Sequence, residues 1–480
     1  MDTIKSNRLL TFFYTPKKRN LYKSASKLPG PYGLPIVGSS LRFLGQASDI
    51  YKCIDGLFLE YHSANIFKVW FGTKLVYCTA DAKVFDIVFT SPHALRKEPF
   101  YNLGDKLFGG GLFSQKSIPK WRRNRKFITP AFNSQMLNSF MEVFVQRSNE
   151  LIEFMRQYEK KKDVDLYDFL SRYALKTICD TAMGVNIDTE PEGDSFNHWI
   201  ERALEILIER IFNIYYQIDI IFCNSALGKE FLDLCDKSRS FTRKIIVKKR
   251  QQMEEEKKNK DIYYEAAEGR KLLTFIDMLL KVTYEDNKSY FTDEEIVDET
   301  ITLMGAGSDT TSNTNAFALV LLGMHQDIQE KVLAEILEVV GPERNVCVDD
   351  LPHLKFLERV IKETLRVFPV GPILARTLDG DINVGDHVLS KGGSICFGVL
   401  RLHRKNAAKI QPGSYVPFSY GPRNCLGLRY AMMTMKVILA TILRRYKVFT
   451  DYKSIEEIDI KCSVMTRPIN GYKLYYESRK

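Results

Sequence analysis

The chain has 480 residues, 45% hydrophobic and 27% charged, with a formal net charge of +10. This is ordinary globular usage, long enough for a large core and, by length alone, for about three domains. Nine scattered cysteines without a CxxC pair argue for a reducing compartment and against a disulfide frame or zinc site; the positive charge permits attraction to anionic lipid or an acidic protein, while no basic repeat or binding module points to nucleic acid.

No run of about eighteen apolar residues occurs, so no ordinary membrane-spanning helix is encoded. Leu9, Leu10, Phe12, Phe13 and Tyr14 form a short apolar patch between Arg8 and Lys17-Lys18-Arg19. It lacks a signal-peptide cleavage pattern, and both an interfacial foothold and a disordered end are open. In residues 28–38, Pro29, Pro31 and Pro35 stiffen an extended segment, most simply a linker. Ile66–Phe71 and Leu75–Thr79 are rich in aromatic and β-branched residues and predict strands of a small sheet. Residues 104–120 contain Gly109-Gly110-Gly111 and read as a mobile loop. The following helix carries Trp121 and Arg125 on one face. Their indole N–H and guanidinium could share one anion, or form a plain surface cation–π pair.

From about residue 135 to 250 the pattern is mainly helical. Residues 203–222 are apolar but interrupted by Glu205, Glu209 and Arg210, so they predict a packed helix and loop. The Glu- and Lys-rich stretch 253–270 reads as a solvated helix end and loop. Thr292 and Glu295 fit a capping box and announce a long helix. Its centre is GAGSDTTS, residues 305–312. Gly305 and Gly307 cost roughly 1 kcal/mol each inside a helix, and such glycines allow close approach or distortion. Asp309 and Thr310 place an acid and a hydroxyl there; a proton relay and a polar helix face with a back-bonded threonine are the two readings. Residues 350–368 predict a further helix with Glu363 and Arg366 on one face, ended by Pro369 and Pro372. Residues 381–397 read as a hairpin with glycine turns.

The most informative stretch is FSYGPRNCLG, residues 418–427. It sets Cys425 at the mouth of an amphipathic helix, where the helix dipole favours a thiolate. Gly421 and Gly427 suit tight turns and close backbone approach, and Arg423 offers a forked cation to a carboxylate. Taken alone, Cys425 could be a buried structural cysteine; the ordered neighbours instead point to the axial ligand of a haem.

Phe418, Gly421, Arg423, Cys425 and Gly427 together resemble the haem-binding signature of the cytochrome P-450 superfamily, the haem-thiolate monooxygenases. The likeness extends from about residue 28 onward and is greatest to the microsomal branch that includes fatty-acid ω-hydroxylases and insect members. It implies a mainly α fold with a small β-rich part (α+β), with residues 28–480 as the monooxygenase domain. Residues 1–27 are then expected to be a truncated or absent membrane anchor. It further implies haem b with Cys425 as metal ligand, Asp309 and Thr310 as catalytic proton handlers, and Trp121, Arg125, Arg376 and Arg423 on the propionates. By the same resemblance the loop at 104–120 covers the haem, and Glu363–Arg366 is a buried pair bracing the cysteine loop. Where some ω-hydroxylases carry a glutamate that esterifies the haem, this chain has Ala306, so that link is expected to be absent.

The implied partners are dioxygen, a small hydrophobic substrate, a membrane surface and an NADPH-dependent flavoprotein reductase, at the cytosolic face of the endoplasmic reticulum membrane. One departure stands out. Only residues 405–417 join Arg404 to Phe418, a much shorter connection than relatives have, without the arginine that completes the Glu–Arg–Arg network. Its loss is expected to leave the other members poorly paired. A haem-impaired, lipid-binding remnant is therefore one rival reading, and a haem-thiolate isomerase another.

Overall fold

The computed structural model describes residues 19–34, 36–159, 165–260, 273–284, 290–405 and 411–479. The apolar patch at 9–14, Pro35, most of the Glu- and Lys-rich stretch and residues 406–410 of the 405–417 connection lie outside the described residues. The fold is mainly helical with small sheets, as expected.

Seven helices position the site: α1 (Ile118–Ile128), α2 (Leu166–Ile178), α3 (Gly193–Phe212), α4 (Ala226–Lys260), α5 (Asp293–Met324), α6 (Lys355–Val367) and α7 (Leu428–Arg445). The axis of the molecule is α5. Its start is the predicted capping box: Glu295 N donates to Thr292 Oγ1 (3.1 Å), and Thr292 N donates to the Glu295 carboxylate (3.0 Å). Asp293, Glu294 and Glu295 fill its first turn, complementing the helix dipole. Helices α2, α4, α6 and α7 pack around it in one large apolar core. Polar residues on α5 are pinned: Ser308 Oγ donates to Asn197 Oδ1 (2.7 Å), and Asn313 Nδ2 to the Thr466 carbonyl (2.7 Å). Gly307 is explained by packing, since an added Cβ would meet Ile178 of α2 at 3.0 Å.

A five-stranded sheet holds the other flank. Its strands are β1 (Phe67–Phe71), β2 (Lys74–Thr79), β3 (Arg96–Lys97), β4 (Ile373–Thr377) and β5 (Ser394–Gly398), in the order β1-β2-β5-β4-β3. Only β2 and β5 run parallel, with Cys78 facing Cys396 in register. In the antiparallel β3–β4 pair, Lys97 faces Arg376. The predicted hairpin over 381–397 is shorter than expected: Ile382–Val384 pairs with His387–Leu389, and Ser394–Gly398 leaves to join the large sheet. Alternating apolar residues predicted the strand but carry no information about its partner. Near the chain end, β6 (Ile460–Ser463) pairs with β7 (Met465–Pro468). Among the described residues no helix is long and apolar enough to cross a membrane.

The α2–α5 contact yields a direct test. Gly307→Val should lower stability by about 1–3 kcal/mol through overpacking against Ile178, read as a lower melting temperature.

Candidate haem-thiolate site

The cysteine loop is shaped by backbone constraints. Cys425 N donates to the Phe418 carbonyl (2.9 Å), closing the loop on itself. Gly421 has φ +71°, and a Cβ there would strike the Phe89 carbonyl oxygen, so glycine is required. At Gly427 a Cβ would meet no protein atom within 4 Å; this glycine keeps room for something other than the chain. The Cys425 side chain is reachable by solvent. Nevertheless, protein crowds it closely enough that burial is the largest influence and raises its pKa, against the Gly427 N–H and Arg125, which lower it. The expected tilt toward thiolate is thus outweighed, and ionisation needs a further positive partner such as a metal.

Four cations surround this loop. Arg423 stacks over the Trp121 ring, 4.4 Å from its centroid. Its Nη2 donates to the Gln115 carbonyl (2.9 Å), while its Nε and Nη1 are buried without a partner. Burial and the neighbouring Arg376 pull its pKa down to about 9. Arg376 is buried, bonded to the Ala375 carbonyl and set over the Phe89 ring. Lys97 lies over the Tyr101 and Phe113 rings and is held well below its ordinary pKa by burial, Arg376 and Arg423. Arg125 is turned to the loop itself, donating to the Asn424 carbonyl and to its Oδ1, both at 2.9 Å. Among the described residues none of the four has a carboxylate partner. Trp121 and Arg125, expected to share one anion, are therefore divided: the indole supports Arg423 and the guanidinium clamps Asn424.

Helix α5 is buried along most of its length but opens at Ala306, which is exposed, and at half-buried Thr310. These positions, four apart, form one stripe. Thr310 Oγ1 donates to the Ala306 carbonyl (2.7 Å), the back-bonded arrangement. Asp309 is not brought to that stripe. It is buried, ion-paired to Arg467 of β7 and hydrogen-bonded by Tyr167 (3.1 Å), with Oδ2 unpartnered. Arg467 also pairs with Glu201 of α3 (3.1 Å), whose side chain is 24% exposed.

Residues 104–108 are helical rather than loop, and the loop proper, 109–117, is tied down. Asp298 accepts from Gly110 N (2.7 Å), and Glu299 from Leu112 N (2.8 Å) and Asn124 Nδ2 (2.6 Å). Burial raises Glu299 to about 7. The same loop gives Arg423 its Gln115 carbonyl.

The chain matches a family profile described as Cytochrome P450 over residues 28–475. The chain belongs to the cytochrome P450 family. Among similar proteins, Cytochrome P450 4g15 of Drosophila melanogaster is 28% identical, over 97% of this chain and 94% of that protein. Cytochrome P450 4d8 of the same species is 32% identical over 86% and 94%. Human Cytochrome P450 4V2 is 30% identical over 91% and 87%. As a family member the protein is a haem-dependent monooxygenase with a cysteine thiolate axial ligand, and it works with dioxygen, a hydrophobic substrate and a redox partner.

The Glu363–Arg366 pair departs from expectation. It is well formed, with bonds of 2.7 and 2.6 Å, but Glu363 is 56% exposed and Arg366 26%. Neutral groups brace the loop instead. Tyr415 OH donates to the Lys362 carbonyl (2.8 Å), and Val416 N donates to Nε2 of buried His403 (2.9 Å). That bond requires an unprotonated Nε2. Sequence patterns missed Lys97, His403 and Tyr415; Arg467 left one trace, a charge inside an otherwise uncharged strand.

Burial lowers His403 from 6.5 to about 4. A base depressed in the folded state contributes stability that is present above about pH 6.5 and lost as pH falls through about 4. The contribution is about 3 kcal/mol. His403→Gln, which keeps an acceptor but cannot titrate, should flatten this acid limb in melting curves recorded across that range.

Proposed function

We propose that residues 28–480 form one catalytic domain that inserts an oxygen atom from dioxygen into a hydrophobic organic compound at haem b. NADPH supplies the electrons through a separate flavoprotein reductase, at the cytosolic face of the endoplasmic reticulum membrane. The observation that carries the reading is the carboxylate-free cluster of Lys97, Arg376 and Arg423 beside Cys425. Two buried guanidinium nitrogens of Arg423 lack acceptors, and the two propionates of a haem supply acceptors with the right charge. On this reading the flat group lies between the open side of Gly427 and the Ala306–Thr310 stripe, the two places where loop and helix are uncovered.

When bound, the haem supplies dioxygen activation and C–H oxidation, with the second oxygen atom leaving as water. Cys425 holds the iron as its thiolate. Arg423, steadied by Trp121, together with Arg376 and Lys97, balances the propionates. Arg125 fixes the cysteine loop through Asn424. Thr310 holds a proton at Oγ1 on the open stripe. Asp309, the second proton handler of this reading, is held by the permanently charged Arg467, which also pairs with Glu201, and relays protons from solvent only once it leaves that guanidinium. Ala306 offers no carboxylate for an ester to the haem.

The chain carries no GxGxxG dinucleotide fingerprint, which supports an external electron source, and its net charge of +10 suits an acidic partner. Membrane contact is supported by exposed apolar residues at Tyr32 (75%), Ile36 (59%), Tyr215 (60%) and Ile220 (72%). The two segments that carry them are joined by the Phe43–Phe212 ring contact at 5.5 Å.

Purified protein, reduced and exposed to carbon monoxide, should show a thiolate-type Soret band, and product formation should require NADPH, reductase and dioxygen together. Cys425→Ala should abolish the band with the far-UV circular dichroism unchanged. Absence of the band in the wild type would favour a haem-impaired form, the reading supported by the exposed Glu363–Arg366 pair; turnover without reductase would favour an isomerase.

Lys97 gives a second, crossing test. Lys97→Met removes a like charge, so the haem-free chain should gain about 1 kcal/mol in stability, while haem transfer to an acceptor globin should accelerate on the order of tenfold. A variant that changes neither would refute the anion-site reading of this cluster.

A further inference from the structure

Cys78 and Cys396 occupy facing positions on the parallel strands β2 and β5. Neighbouring strands run about 4.8 Å apart, inside the Cα separation of roughly 4.4–6.8 Å that a disulfide accepts. Residues in register also point to the same face of a sheet. Here both side chains enter one small aromatic cluster with Phe43, Phe58 and Phe67, and the neighbouring Cys396 thiol is the largest influence on Cys78. The pair therefore has the Cα spacing and shared face of a cross-link, and a small closing of the two Cβ atoms, from about the 4.8 Å strand spacing to roughly 3.5–4.5 Å, completes the geometry. Neither residue takes part in the haem site, and the scattered cysteine pattern gave no sign of a pair.

We propose that Cys78 and Cys396 form a peroxide-sensitive disulfide site. Their accessibilities differ in the useful direction: Cys78 is 6% exposed, whereas Cys396 is half-buried. Cys396 is therefore the sulfur that meets the oxidant first, while its proximity and burial hold the Cys78 thiol well above its ordinary pKa. The Cys396 thiolate attacks one oxygen of hydrogen peroxide; the O–O bond breaks, hydroxide leaves and takes up a proton, and Cys396 becomes a sulfenic acid. The Cys78 sulfur then attacks that sulfur, passing its proton to the departing oxygen, which leaves as water. Two thiols and one peroxide thus yield one disulfide and two waters. The oxidant comes from the protein's own chemistry, since dioxygen that gains two electrons and two protons without oxidising substrate departs as hydrogen peroxide. The bond would weld β2 to β5, next to the strand that carries Arg376, and reducing thiols would reopen it.

The full chain is treated with added hydrogen peroxide, so the outcome does not depend on turnover. Remaining thiols are alkylated and the protein is digested without reduction. The expected product is a Cys78–Cys396 cross-linked peptide, absent after dithiothreitol, with neither of these two thiols left to alkylate. Cys78→Ser should stop at a Cys396 sulfenic acid captured by dimedone, and Cys396→Ser should give neither product. Exposed Cys347 serves as the dose marker in the wild type. If Cys347 is oxidised while the Cys78 and Cys396 peptides remain unlinked, the proposal is overturned. A link from Cys396 to Cys53, which borders the same cluster, overturns it as well.

Discussion

Gathering Lys97, Arg376 and Arg423 inside protein costs free energy twice, once for desolvation and once for mutual repulsion. Burial depresses the pKa values of Lys97, Arg376 and Arg423, and repulsion from neighbouring cations adds to it at Lys97 and Arg423. An anion that joins the cluster cancels much of this cost, so the fold stores binding energy for a dianionic group at one edge of the cysteine loop. Each cation comes from a different element: Lys97 from β3, Arg376 from β4 and Arg423 from the loop. The group that neutralises them thereby also ties sheet to helices. Cofactor retention and structural cohesion are two readings of the same charge balance.

The second constraint is the brace behind the loop. Relatives are expected to use a second arginine, which this chain does not supply at the short 405–417 connection. His403 and Tyr415 replace ionic bonds by neutral ones, anchoring the loop to α6 by way of the Lys362 carbonyl. Neutral hydrogen bonds are worth about 1 kcal/mol each, less than charge-assisted ones. Glu363 and Arg366 remain paired but face solvent, where such a pair contributes little. The loop keeps its shape with a thinner reserve of stability.

Much of this was legible in the sequence where the causes are local. The capping box at Thr292 and Glu295 needs four consecutive residues, and the structure forms it as predicted. The cysteine loop is local in its spacing, since Phe418 to Gly427 is a short backbone path closed by the Cys425 N–Phe418 bond, but the Phe89 carbonyl that bars a Cβ at Gly421 comes from a segment distant in sequence. Lys97 could not be read this way, because its partners Arg376 and Arg423 are distant in sequence and meet it only through the sheet. Arg467 and Asp309 meet through tertiary packing for the same reason. The Ser394–Gly398 strand was visible as a strand, but its parallel partner was not, since a strand's alternation specifies faces rather than neighbours.

One small contact links two properties that are usually treated apart. The carbonyl of Gln115 holds Arg423, and Gln115 belongs to the segment 109–117 that Asp298 and Glu299 fasten to α5. A bulky guest that lifts this segment must stretch or break the Arg423 bond and let the guanidinium shift. If Arg423 balances a haem propionate as proposed, admission of a guest and the electrical setting of the iron are mechanically geared, and compounds of different girth should be felt as different driving forces for the incoming electron.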